Sequence, residues 1–206
     1  GNHFEKIAPN LSLSADKVID GSGQAILPSL MNAHTHAAMT LLRGYADDME
    51  LHAWLENYIW PLEGTFSENN VYLGAKLACL EMIKSGTTFF NDMYWFLEGT
   101  ARAVQEMGIR AALSSVFIDF QNETAAKEEQ ERCKQLYEKS SRFSERIQFA
   151  LGPHAIYTVS PESLAWTRDF AEREDLLIHM HVSETRKEVQ RSEEHTSELQ
   201  SLSHIS

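Results

Sequence analysis

The sequence predicts an α/β chain built on a parallel sheet covered by helices, and three observations carry that reading. Apolar segments of strand length alternate with helical patterns along the chain. The strands read as continuous apolar runs rather than alternating ones, as expected of a sheet buried on both faces. The residues able to do chemistry follow the strands at their C-terminal ends: His34 and His36, Asn91 and Asp92, His154, then His181 and Glu184.

The elements follow in order. Residues 17–20 form a strand running into an Asp20-Gly21 turn, and residues 24–27 form a second strand stopped by Pro28. Two strands do not make a stable sheet alone, so residues 1–28 are expected to be the remnant of a small β domain. Residues 30–33 are a short apolar run suited to a buried strand. Helical patterns cover 51–58 and 68–84, the second closed by Ser85-Gly86. Residues 87–90 are a β-branched and aromatic strand ending at Asn91-Asp92. A helix over 99–107 stops at Gly108, and 110–117 is the third strand. The charged helix over 122–141 presents a solvated face rather than a partner site. Residues 147–151 make the fourth strand, ending at Gly152-Pro153-His154. Ser160 caps a helix with Pro161 at its first position, and 176–181 is the fifth strand.

The C-terminal face of such a sheet carries the active site in a (β/α)8 barrel, and a doubly wound sheet also places a site there. No glycine-rich phosphate loop follows the first strand, which disfavours a nucleotide-binding doubly wound sheet.

Composition narrows the function. The 206 residues carry a formal net charge of −12, with 18 Lys and Arg against 30 Asp and Glu. An acidic chain is a poor partner for nucleic acid or anionic membrane, since phosphate binding needs a basic face. No apolar run approaches the ~20 residues of a membrane span. Two cysteines, Cys79 and Cys133, are too few for a disulfide framework, so a reducing cytoplasm is the expectation.

His34-Thr35-His36 places two imidazoles on one face of a strand end, where one metal can bind both. A second H-x-H, His179-Met180-His181, closes the fifth strand. Only one member of that pair need reach a metal, and His179 can simply pack. Three histidines leave room for a carboxylate and a water, the open arrangement of a catalytic centre. Glu184, three residues beyond His181, is the candidate general acid and base; its bland alternative is a surface glutamate, with Lys187 and Glu188 also partly solvated.

These residues resemble a known family. Segment 30–44 around His34 and His36 is similar to the first strand of the amidohydrolase superfamily. Trp60-Pro61-Leu62-Glu63, Ser85-Gly86-Thr87-Thr88, Gly152-Pro153-His154-Ala155 and His181-Val182-Ser183-Glu184-Thr185 match in order. Within the superfamily the chain resembles the branch that deaminates methylthioadenosine and S-adenosylhomocysteine, alongside triazine chlorohydrolases. The likeness covers roughly residues 15–190.

The resemblance implies a partial (β/α)8 barrel over 29–190, about five of eight units, preceded by a β-sandwich remnant. It implies His34, His36 and His181 as metal ligands and Glu184 as proton shuttle. Glu63 would hold ribose hydroxyls, and His154 would lie beside the reacting ring. The cofactor is one divalent metal, zinc first, with Fe2+ or Mn2+ as alternatives. The fourth strand ends without the lysine that bridges two metals elsewhere in the superfamily. The implied reaction is hydrolytic deamination of an adenosine derivative by a metal-activated water. The alternatives are another ring, such as guanine, cytosine or a triazine, or a chain inactive as it stands. The implied partner is a small molecule, a nucleoside or heteroaromatic amine, and the parent protein would be a homo-oligomer. Ser29 stands where the family has glycine, and Ser115 where some members have a substrate-contacting arginine. A sixth-strand histidine and an eighth-strand aspartate have no counterpart before Gln190. Five strands do not close an eight-stranded barrel, so the last should present an open apolar edge.

Residues 191–201 resemble, position for position, the in-frame translation of a common sequencing-library adapter. Residues 191–206 are therefore expected to be non-native and are excluded from the fold reading.

Overall fold

A computed structural model of the chain describes residues 3–190; the segment 191–206, expected to be non-native, lies outside the described residues. Five strands form one sheet in the order β1-β2-β3-β4-β5, every neighbouring pair parallel. The strands are β1 (Leu30–Thr35), β2 (Thr87–Tyr94), β3 (Arg110–Phe117), β4 (Ile147–Pro153) and β5 (Leu177–Ile178). A 3-10 turn (Ala37–Leu42) follows β1. A helical stretch comes next, with a π turn (Leu55–Ile59) between α1 (Leu51–Trp54) and α2 (Trp60–Glu63). The crossovers are then α3 (Glu68–Lys84), α4 (Leu97–Met107), α5 (Glu123–Ser140) and α6 (Pro161–Glu174).

Local chemistry explains the boundaries. Ser67 and Asn70 form a reciprocal capping box at α3, Asn122 caps α5, and Ser160 caps α6 ahead of Pro161. The core lies between sheet and helices, where Phe90, Leu113, Phe117 and Leu151 pack against Val104, Cys133 and Phe170. Each large side chain buried there contributes about 1.5–3 kcal/mol. Both cysteines are free and buried. The solvated face expected on α5 is present: Ala126, Cys133 and Leu136 face inward, while Glu123–Lys127 and Glu131–Lys134 pair on the outside. No helix among the described residues is long and apolar enough to cross a membrane.

The structure corrects several boundaries. Residues 3–29 contain no strand, and the two expected there leave Val18 83% and Ile26 89% exposed. Only the Asp20-Gly21 turn forms, with Asp20 accepting from the Ser22 amide. An isolated pair of strands has no layer to pack against, which is why strand propensity alone does not hold it. β2 and β4 run further than expected, taking Asn91, Asp92 and Pro153 into the sheet, because a neighbour on each side keeps their backbones paired. β5 is shorter, since among the described residues it pairs only with β4; His181 regains one bridge, to Ala155. Its open edge leaves Leu177 and Ile178 about half exposed, and β1 exposes Leu30 and Met31 at the other edge. The helix expected over 51–58 continues to Glu63 through the π turn.

One packing contact sets the position of the first strand end. A Cβ at Gly74 of α3 would lie 2.4 Å from the Ala38 carbonyl oxygen, and Thr40 donates to the Gly74 carbonyl at 2.8 Å. A mid-helix glycine costs about 1 kcal/mol relative to alanine in helix propensity. Here it lets the helix touch the turn that follows His36. Gly74→Ala should therefore lower the denaturation midpoint, by about 1–3 kcal/mol of overpacking, despite the better propensity. A midpoint raised by the substitution would show that the contact relaxes freely.

Candidate metal centre and substrate cleft

Two strand ends bring the histidines together. His34 and His36 leave β1 on the same face, and His181 arrives from the segment after β5. One ligand nitrogen from each lies within 4.8 Å of the other two. The local wiring is specific. His36 Nδ1 donates to the Met93 carbonyl at 2.5 Å, and His181 Nδ1 donates to the His154 carbonyl at 3.1 Å. A carbonyl oxygen can only accept, so each neutral ring carries its proton on Nδ1 and keeps a lone pair on Nε2. Those two Nε2 atoms face each other 3.2 Å apart. Two lone pairs in that arrangement repel unless a cation sits against both. His34 Nδ1 lies 2.8 Å from His179 Nε2, which leaves its own Nε2 toward the cluster.

Burial disfavours the charged form at His34, His154, His179 and His181. Burial pushes His34 down to about 4, helped by His36, His179 and His181. Burial likewise pushes His154 down to about 4 and lowers His179 and His181. Neutral imidazoles are the form that binds a metal.

The other expected residues line the same cleft. Glu184 shares it with His36, His154, His181 and Glu63. The Tyr157 hydroxyl donates to Glu184 Oε2 at 2.6 Å. The preceding Ser183 holds a φ of 59°, a left-handed conformation that costs about 1 kcal/mol or more in a non-glycine residue and turns the chain at this point. Glu63 ends α2 half-buried, its Oε1 accepting from the Tyr94 hydroxyl at 2.6 Å. Burial raises its carboxyl, with the hydrogen bonds from Tyr94 and Trp95 acting the other way. His154 Nδ1 lies 2.9 Å from the Thr158 hydroxyl, and its ring centre is 4.8 Å from that of His181. Trp54 and Trp60 form cleft wall. The cleft is narrow at the histidines, about 100 Å³, and shares Trp60, Glu63, Trp95 and Ile118 with a wider cavity of about 750 Å³. Small-molecule sites commonly fall in this size range.

One position behaves differently from expectation. Glu188 is 7% exposed rather than solvated, and forms a capping box with Thr185. Ser115 is buried with its hydroxyl 3.2 Å from Cys133 Sγ, facing α5. Other positions were missed. Asp92, to which no role was given, is 3% exposed and accepts from the Thr35 hydroxyl at 2.8 Å and the Ala37 amide at 2.7 Å. It clamps the backbone on both sides of His36, and its burial raises its pKa. Tyr94 and Tyr157 carry no spacing signal, because each finds its carboxylate only through the fold. A buried carboxylate after a β-branched strand was the one readable hint for Asp92.

The comparisons with known proteins agree with one another. The amidohydrolase family model matches residues 25–205. A 5-methylthioadenosine/S-adenosylhomocysteine deaminase from Archaeoglobus fulgidus is 49% identical over 178 residues, 86% of this chain and 42% of its own. A 5′-deoxyadenosine deaminase from Methanoregula boonei is 52% identical over 179 residues, 85% of this chain and 40% of its own. The solved structure of an adenosine deaminase from Xanthomonas campestris with bound zinc superposes with a TM-score of 0.72 and 39% identity, over 80% of this chain and 38% of that one. The chain thus spans about two fifths of the length of the curated relatives it matches.

Proposed function

Because the chain belongs to the amidohydrolase family, we propose that its protein is a metal-dependent aminohydrolase acting on an adenosine derivative of the 5′-methylthioadenosine or S-adenosylhomocysteine type. One observation carries the metal half of this reading: the unprotonated Nε2 atoms of His36 and His181, facing each other with both Nδ1 atoms spent on carbonyls. The donor set is all imidazole, which suits zinc, and the similar Xanthomonas deaminase holds zinc. Fe2+ and Mn2+ fit the same donors less specifically. The names of the relatives support the substrate half.

His34, His36 and His181 would hold the metal. When bound it would supply a water acidified toward a pKa of ~7, hence a nucleophile at neutral pH. The remaining work falls to the chain. Glu184 takes one proton of the attacking water and delivers it to the ring nitrogen beside the amino-bearing carbon; it then takes the second proton from the added hydroxyl and gives it to the amine, whose C–N bond breaks as the ring C=O forms. Water and substrate leave as ammonia and the oxo-ring product, so the protons balance. Tyr157 holds Glu184 Oε2 and leaves the other oxygen for the transfer. Glu63, braced by Tyr94, accepts from the ribose hydroxyls, and His154 lies against the ring.

The test is metal analysis of the complete protein together with ammonia release from 5′-methylthioadenosine. Stoichiometric metal and steady ammonia release are expected. A metal-loaded protein that releases no ammonia from any adenosine derivative would overturn the substrate assignment.

A further inference from the structure

We propose that His179, backed by Ser114, is a positioning residue that fixes His34 in the tautomer whose Nε2 is free to bind a cation; this rests on the metal reading above. His34 differs from the other two histidines of the cluster. His36 and His181 have their tautomers set by main-chain carbonyls. His34 instead meets a second imidazole, His179 Nε2, at 2.8 Å, and His179 Nδ1 lies 3.2 Å from the Ser114 hydroxyl.

An imidazole pair ending on a hydroxyl has two proton arrangements. In the first, His34 Nδ1 donates to His179 Nε2, and His179 Nδ1 donates to Ser114 Oγ. In the second, the Ser114 hydroxyl donates to His179 Nδ1 and His179 Nε2 donates to His34 Nδ1. His34 then carries its proton on Nε2, where the cation belongs. Both arrangements hold the same number of protons, so a cation selects the first without expelling one. A serine can close either arrangement because its hydroxyl both donates and accepts.

The fold builds this relay deliberately. The His179 amide donates to the Leu151 carbonyl at 2.9 Å, which holds His179 in register beyond the short β5. Period-two alternation then puts His179 on the face of His181. Ser114 is 2% exposed on β3, and the neighbouring Gly152 leaves room for it: a Cβ there would fall 3.1 Å from Ser114 Cβ and 3.0 Å from Val116 Cα. His179 is itself outside the three-residue ligand cluster. Partners that orient a metal-binding imidazole commonly matter about 10–100-fold in metal affinity.

The experiment compares zinc affinity, by chelator competition, and the visible spectrum of the cobalt-substituted form, in the complete protein and four variants. His179→Ala should weaken zinc binding by about 10–100-fold and alter the cobalt spectrum. His179→Asn, too short to reach His34, should match it. His179→Gln, whose amide oxygen reaches about as far as Nε2, should recover most of the affinity and the parent spectrum. Ser114→Ala should weaken binding less than His179→Ala. An alanine variant that binds zinc as tightly as the parent overturns the proposal. So does a glutamine variant no better than the asparagine one, a comparison that decides even where the alanine variant fails to fold. A parent that binds no zinc removes the metal reading itself, an outcome distinct from a binding parent with unaffected variants.

Discussion

Glu184→Gln is expected to lower kcat for the proposed deamination by about a hundred- to ten-thousandfold, the usual contribution of a general acid and base, and to leave the metal content unchanged. The amide keeps the shape of the carboxylate, and its carbonyl oxygen still accepts from Tyr157, so the cleft is preserved. What it loses is the ability to exchange a proton with water, ring and amine. Glu184 sits at the edge of the cleft, and its charge acts on His181 and His154 against the effect of burial. Steady-state rates and metal analysis on the same preparation decide the matter. A variant retaining a third or more of parental kcat would mean that Glu184 is only a surface carboxylate.

Much of this arrangement was legible because it is local. Ser160 announces its helix through a cap and α6 begins there, while α3 and β3 begin where their apolar patterns place them. The two H-x-H pairs at strand ends were enough to bring His34, His36 and His181 to one point, because the sheet is parallel and all its C-terminal ends share one face. What was not legible depends on partners distant in sequence. Asp92 was readable only as a polar residue at a strand end, and its clamp on the His36 backbone exists only once β1 and β2 pair. His179 looked like packing, and its contact with His34 crosses the whole strand order from β1 to the end of β5. The π turn that carries the chain on to Glu63 has no sequence signature of its own. Strand propensity over 17–27 misled for the opposite reason: the local pattern is present and the surrounding layer is not.

Removing the metal, or the His36 ring, is expected to abolish the proposed deamination to the limit of detection, at least about a thousandfold, since an unbound water has a pKa near 15.7 rather than ~7. The two losses differ in how stability responds to added zinc, which makes the prediction sharper than an activity assay. A ligand that binds only the folded state at a hundred times its Kd stabilises by about 2.7 kcal/mol, so chelation should lower the Tm of the parent protein and added zinc should restore it. His36→Ala should show no such metal-linked shift, because it deletes one of the two facing Nε2 atoms that create the demand for a cation. The metal-free parent carries that lone-pair repulsion across 3.2 Å, and the variant does not. The metal-free Tm of His36→Ala should therefore lie close to that of the metal-free parent, even though the variant has lost a half-buried ring and its bond to Met93. A parent whose Tm ignores chelator, or a His36→Ala protein whose Tm still responds to zinc, would place the cation somewhere other than between these histidines.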